Sequence, residues 1–258
     1  MIDRGSVAED GEAGFPILDG AVRGLYRAIS KRGHAITAFN VQCTISRGRG
    51  AMAVSALVGE KLACRRGFKL LFEHLDVTAR SGRALLVVGP NGAGKSSLLR
   101  ILSGLLGATE GKVRLDGPSL EAADSGVGEH IHYLGHEDAV KGALTVRANL
   151  AFWRTVLGPT GLPVEDALEE VGLGGLGGLR AQVLSAGQKR RLAIARLLVS
   201  RRPVWVLDEP TTALDVKAQA RFAAFGRGHL AEGGILIAAT HAPLDLGDVD
   251  ELRLGGVS

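Results

Sequence analysis

The sequence predicts an α/β domain, with a mostly parallel core sheet carrying an antiparallel β subdomain and a helical subdomain. Three observations lead there. The apolar runs Ala84–Val88, Val204–Leu207 and Gly234–Ala239 are strand-length and unbroken, as expected of strands covered on both faces. Segments with apolar residues at i, i+3 and i+4 lie between them. The first run also passes through a glycine-rich turn directly into a helical pattern, the join expected where strands and helices alternate.

Residues 1–51 precede this pattern. Acidic residues come first (Asp3, Glu9, Asp10, Glu12, Asp19), then scattered bases (Arg23, Arg27, Lys31, Arg32, Arg47, Arg49), with no apolar stretch of signal-peptide length. Periodicity is poor. The expectation is a disordered extension or a start codon assigned too early, with Met52 as the true first residue and the domain spanning 52–258. Val54–Ala63 and Lys69–Ala79 read as antiparallel strands before Gly82. Ala84–Val88 leads into a helix over about 94–105, and Lys112–Leu115 is a short strand closed by the Asp116-Gly117 turn. The helical subdomain covers about 137–200, with helical spacing over Leu144–Leu157, Val164–Val171 and Ala186–Val199. Gly172–Gly178 is too glycine-rich for anything but a loop.

Composition narrows the function classes. Of 258 residues, 46% are hydrophobic but only 4% aromatic, so the core must be built from Leu, Val, Ile and Ala. No apolar run reaches the ~20 residues of a membrane span, which predicts a soluble chain whose membrane role goes through a partner. The formal charge of +4 comes from scattered bases not interleaved with aromatics, which argues against nucleic acid as a partner. Cys43 and Cys64 have neither metal-ligand spacing nor a disulfide framework and fit unpaired thiols of a reducing compartment.

The strongest motif is Gly89-Pro90-Asn91-Gly92-Ala93-Gly94-Lys95-Ser96, a G-x-x-x-x-G-K-[ST] sequence between an apolar strand and a helix. Glycines let backbone N–H groups wrap a phosphate, and the helix N-terminus adds partial positive charge. Lys95 reaches the β- and γ-phosphates, the Ser96 hydroxyl ligates Mg²⁺, and Ser97 continues the nucleotide-binding turn. The run Val204–Glu209 ends an apolar strand in two acids: Asp208 is suited to hold Mg²⁺ through water, and Glu209 to polarise the attacking water as general base. Leu184-Ser185-Ala186-Gly187-Gln188 opens a helix with a hydroxyl and a bare backbone N–H, a second anion site. Two phosphate sites on one chain predict a head-to-tail homodimer that sandwiches each ATP.

Together these residues resemble the ATP-binding cassette of ABC transporters, from about Val54 to the C-terminus. The resemblance implies a P-loop NTPase of the ABC type with ATP and Mg²⁺ as cofactors. Gly89–Ser96 corresponds to Walker A, Val204–Glu209 to Walker B and Leu184–Gln188 to the signature loop, with Ala186 where a second glycine is usual. Thr212-Ala213-Leu214-Asp215 is similar to the D-loop, and His241 to the switch histidine that contacts the γ-phosphate. His136 occupies the place of the usual Mg²⁺-contacting glutamine, either touching the metal indirectly or sensing the membrane partner. Counting back from Lys95 to the adenine-stacking aromatic lands on Arg66, whose guanidinium plane can stack, with Phe68 as the alternative.

Three further segments, 62–67, 133–136 and 144–153, resemble the CcmA family, the ATPases of cytochrome c maturation, with Ala148 in place of a Glu. That resemblance implies membrane partners of the CcmB and CcmC kinds, peripheral association with the cytoplasmic face of the bacterial inner membrane, and export of haem. The stretch from His136 to Trp153 becomes the coupling surface, although Leu150, Phe152 and Trp153 fit helical core equally well. A transporter ATPase for another small molecule is the alternative, and a soluble ABC protein acting on ribosomes or DNA a more distant one.

Overall fold

A computed structural model of the chain describes residues 54–118 and 126–255. The expectations for residues 1–51, Met52 and Cys43 lie outside the described residues. The described chain forms β1 (Ala56–Arg66), β2 (Lys69–Arg80), β3 (Ala84–Val88), α1 (Lys95–Leu102), β4 (Glu110–Asp116), β5 (Ile131–Leu134), α2 (Val146–Leu157), α3 (Val164–Glu170), α4 (Ala186–Val199), β6 (Val204–Asp208), α5 (Val216–Ala231), β7 (Ile235–Ala239) and β8 (Val249–Arg253).

Two sheets result. The core sheet has the order β5-β6-β7-β3-β8 and is parallel throughout. The second, β2-β1-β4, is antiparallel. Every residue of β6 and β7 is buried, as a central parallel strand covered on both faces requires. Side chains alternate between the two cores at the strand period of two. Val206 and Ile237 pack with Leu98, Leu99 and Leu102 of α1 and with Leu57 and Val77 of the antiparallel sheet. Trp205, Leu207 and Leu236 pack on the opposite face with Leu192 of α4 and Phe222 of α5.

Helix ends follow local chemistry. α1 stops at Leu102, short of the expected residue 105, because Gly104 turns the chain at φ 69°. The Leu144–Leu157 pattern becomes a helix only from Val146, where the Thr145 hydroxyl accepts from Ala148 N at 3.1 Å. Within it Leu150 is core, while Phe152 and Trp153 are half-buried and the Arg196 guanidinium lies 4.8 Å over the Trp153 ring. The first strand runs on to Arg66 and the fourth begins at Glu110, both longer than expected.

Three elements escaped the sequence reading. β5 is four residues long and contains His132. β8 is an edge strand carrying Asp250, Glu251 and Arg253, so it lacks an apolar run. α5 contains Gly226, which weakens its helical signal, yet a Cβ there would lie 2.6 Å from Cδ2 of Leu246, in the loop before β8, and 3.3 Å from Cδ1 of Leu236 on β7. The glycine lets the helix approach the sheet closely.

Candidate active site

Because all core strands run the same way, their carboxyl ends share one rim, where parallel sheets bind ligands. Gly89 follows β3, His136 lies two residues past β5, Glu209 follows β6, and His241 lies two residues past β7. The sequence order of strands thus delivers four separated motifs to one edge.

The turn after β3 depends on its glycines. Gly89 has φ 148°, and a Cβ there would fall 2.2 Å from the Leu254 carbonyl oxygen, just beyond β8. β8 therefore shapes the turn by backbone contact, and Leu254 N donates to Val88 O at 2.8 Å. Gly94, the N-cap of α1 at φ 101°, makes no side-chain cap. The first-turn N–H groups thus lack a capping side chain, the arrangement that suits an anion. Lys95 Nζ donates to Gly89 O at 2.7 Å and to Pro90 O at 3.2 Å, so its amine lies across the turn. Ser97 is buried beneath the turn, and Ser96 is exposed at its rim.

His241 gathers the site. Its Nε2 lies 3.1 Å from Asn91 Oδ1, 3.4 Å from Lys95 Nζ and 3.6 Å from Glu209 Oε1. Residues remote in sequence thus meet at one imidazole. Asp208 is buried at the end of β6. Glu209 adopts φ 47°, a left-handed conformation costing a non-glycine residue about 1–2 kcal/mol. Both its backbone groups are tied: its N–H donates to Ala239 O at 2.8 Å, and its carbonyl accepts from Arg190 Nη2 at 2.6 Å.

Other expected residues stand apart from this cluster. Leu184 is buried and anchors the loop, whereas Ser185 and Ala186 are exposed. Ser185 caps α4: its Oγ accepts from Gln188 N at 3.2 Å, and Gln188 Oε1 accepts from Ser185 N at 2.8 Å. Gly187 has a packing reason, since a Cβ there would approach Ala213 O to 2.7 Å. Gly187→Ala is expected to force the Ala213 turn or the start of α4 to shift. Hydrolysis should fall by about tenfold with little change in melting temperature, as expected when placement and not folding is disturbed; phosphate-release assays on the folded variant check this. Asp215 caps α5, its Oδ1 accepting from Ala218 N at 2.8 Å. His136 is exposed. Arg66 and the fully exposed Phe68 lie at the turn between β1 and β2. That turn reaches the phosphate loop, since Lys69 Nζ is 3.9 Å from where a Gly92 Cβ would be.

One residue of the site was missed. Arg190 lies on the buried stripe of α4 formed by Arg190, Ala193, Ile194 and Leu197, at helical spacing. A cation on an apolar stripe was the available signal, because such a charge must find partners inside.

Comparisons with known proteins bear on the family and the fold. The family described as ABC transporter matches residues 72–212. The cytochrome c biogenesis ATP-binding export protein CcmA of Nitrobacter winogradskyi is 54% identical over 202 residues, covering 78% of this chain and 99% of that protein. The protein of the same name from Bradyrhizobium diazoefficiens is 51% identical over 202 residues, with the same coverage. Among solved structures, a putative ABC transporter ATP-binding protein from Pyrococcus furiosus matches with TM-score 0.65 and 28% identity, over 78% of this chain and 98% of that one. An ATP-binding cassette solved as a dimer in a post-hydrolysis state, bound to ADP and Pi, matches with TM-score 0.65 and 20% identity, over 77% and 94% of the two chains. The fold it shares is that of this chain.

Proposed function

The chain belongs to the ABC transporter family and, within it, to the CcmA ATP-binding proteins, and from that premise we propose that it is the ATPase subunit of a haem-exporting complex of cytochrome c maturation. The observation that carries the ATPase reading is the meeting of Lys95, Asn91 and Glu209 at His241 on the rim of the parallel sheet, and the maturation part rests on the likeness to the CcmA proteins.

The residues at the rim divide the work of hydrolysis. Lys95 exchanges the Gly89 and Pro90 carbonyls for β- and γ-phosphate oxygens, while the Gly89–Ser96 turn and the start of α1 supply backbone donors. The hydroxyl of Ser96 and the carboxylate of Asp208 would hold Mg²⁺. Ser96 would do so directly and Asp208 through water, which fits an ion that usually keeps several of its waters. When bound, the ion neutralises charge on the β- and γ-oxygens. Glu209 polarises the attacking water, and His241 holds the γ-phosphate between itself and Lys95. Arg66, or the exposed ring of Phe68, offers a plane to adenine.

The second half of each site comes from a second copy. Ser185 accepts a bond in its cap through an oxygen lone pair and keeps its O–H free to donate. Exposed on the dimer face, it would meet the γ-phosphate bound by the partner subunit. Membrane subunits of the CcmB and CcmC kinds would sit against the segment from His136 to Trp153. Among the described residues no helix is long and apolar enough to cross a membrane. Attachment to the cytoplasmic face of the inner membrane would be made through those subunits.

Affinity purification of the full chain from detergent-solubilised membranes is the test. A CcmB-like subunit is expected to accompany it. Recovery of a permease unrelated to cytochrome maturation would overturn haem export and leave the ATPase assignment standing. The dimer has its own check: Glu209→Gln with ATP and Mg²⁺ should elute at twice the monomer mass, and a monomer that retains no nucleotide sinks the sandwich.

A further inference from the structure

The hydrogen bonds of one buried side chain tie together loops that hydrolysis must keep in step. Arg190 is 3% exposed and projects from α4 two residues beyond Gln188, which closes the signature-loop cap. Its Nη2 donates to Asp208 O at 2.8 Å and to Glu209 O at 2.6 Å, and its Nε donates to Pro210 O at 3.1 Å. Its Nη1 donates to Gly135 O at 2.8 Å and to Asp138 Oδ1 at 3.0 Å. One rigid plane therefore holds the loop after β6, with Glu209, and the loop after β5, with His136, against the helix that opens at Ser185.

Neutralising a buried cation needs only Asp138. The guanidinium instead spends most of its fixed fork of donors on main-chain carbonyls of functional loops, a geometry a lysine cannot copy. Backbone strain collects around it. Among the described residues, the non-glycine residues with φ in the left-handed region are Lys61, His74, Ala139, Glu209 and Ala213. Glu209 is bonded to Arg190, Ala139 follows its partner Asp138, and Ala213 lies against Gly187 on the same helix. Strained positions persist only where their surroundings over-determine them.

We infer that Arg190 is a positioning residue: it sets the backbone of Glu209 in register with the 135–138 loop, so that the loop facing the membrane partner aims the general base. The inference rests on the proposed role of Glu209. Movement of the 135–138 loop pulls on the same plane that pins Glu209 O, and the Glu209 carboxylate turns with it toward or away from His241.

The test uses the purified full chain as wild type, Glu209→Gln, Arg190→Gln, Arg190→Lys and Asp138→Asn. Measurements are kcat and KM for ATP, affinity for a fluorescent ATP analogue, and melting temperature. Folded Arg190→Gln is expected to lose at least about tenfold in kcat, since misplacing a catalytic group by an ångström has effects of that order or larger. Analogue affinity should stay within about threefold, the mark of an effect on the chemical step and not on binding. Arg190→Lys should recover part of the loss. Wild-type kcat in folded Arg190→Gln, or activity that merely tracks the folded fraction, overturns the inference. Should Arg190→Gln fail to fold, Asp138→Asn decides, because Asp138 is partly exposed and stands at the far end of the network. It should lower kcat about threefold or more at unchanged affinity, and a wild-type kcat there overturns the inference. Glu209→Gln separates the premises: if it hydrolyses ATP normally, the general-base assignment fails and this inference with it. An inactive Glu209→Gln beside a fully active Arg190→Gln overturns this inference alone.

Discussion

Glu209→Gln is expected to lower kcat by about 10²–10⁴-fold while changing ATP affinity only a few-fold, the range for losing a general base without losing ground-state contacts. The side chains are nearly isosteric. Both backbone bonds that hold residue 209, to Ala239 O and from Arg190, involve the main chain and survive the substitution. Melting temperature should therefore stay put. What disappears is the carboxylate that faces His241 Nε2 at 3.6 Å, and an amide cannot take a proton from water. His241→Ala should cost less, because Lys95 still lies across the phosphate turn. Steady-state phosphate release at saturating ATP, beside a binding titration, checks both variants. A Glu209→Gln rate within about twofold of wild type would mean that proton transfer from water limits nothing here, and that another group takes the proton.

What could be read in advance, and what could not, divides along physical lines. The Gly89–Ser96 turn, Glu209 and His241 were legible because each is a short contiguous signal next to an apolar strand, and a parallel sheet brings all such strand ends to one edge. The buried β6 and β7 were visible as unbroken apolar runs for the same reason. β8 was not, because an edge strand with Glu251 and Arg253 exposed and Asp250 half-buried has no apolar run to find. Yet β8 explains Gly89, whose missing Cβ leaves room for Leu254 O. Arg190 shows the same limit from the side-chain end. Its helix was located correctly, but the carbonyls it serves come from loops some 20 and 55 residues away in sequence. Asp215 was singled out for its place in a family motif, and the structure adds a local reason for an acid there, the cap of α5. Nothing in a linear pattern ties such residues to neighbours that only the fold supplies.

Acid should destabilise this protein through two histidines far from the nucleotide site. His132 on β5 is buried, with its Nε2 2.7 Å from Ser200 O, and burial pushes its pKa down to about 3. His229 on α5 stacks on Trp205 at 4.1 Å, and burial pushes its pKa down to about 4. Arg196 and Arg202 face His132 as well, and each further disfavours its charged form. In the unfolded chain both imidazoles titrate near 6.5. Above that pH neither state holds the extra protons, and the stability is fully present. Between 6.5 and about 4 the unfolded chain binds two protons that the fold refuses, so stability falls as the pH drops. Each group costs about 1.4 kcal/mol per pH unit in that window, or about 2 kcal/mol each at pH 5 and about 4 kcal/mol together. Urea unfolding of the nucleotide-free chain at pH 7.5 and pH 5 measures the sum. Carboxylates contribute to the same slope, as does His130, whose pKa burial also lowers, so His229→Phe, which keeps an aromatic face against Trp205, isolates one share. Its loss between the two pH values should be about 2 kcal/mol smaller than that of wild type. Equal losses in the two proteins would mean that His229 accepts its proton inside the fold, and that the stacked pair with Trp205 opens far more readily than its burial implies.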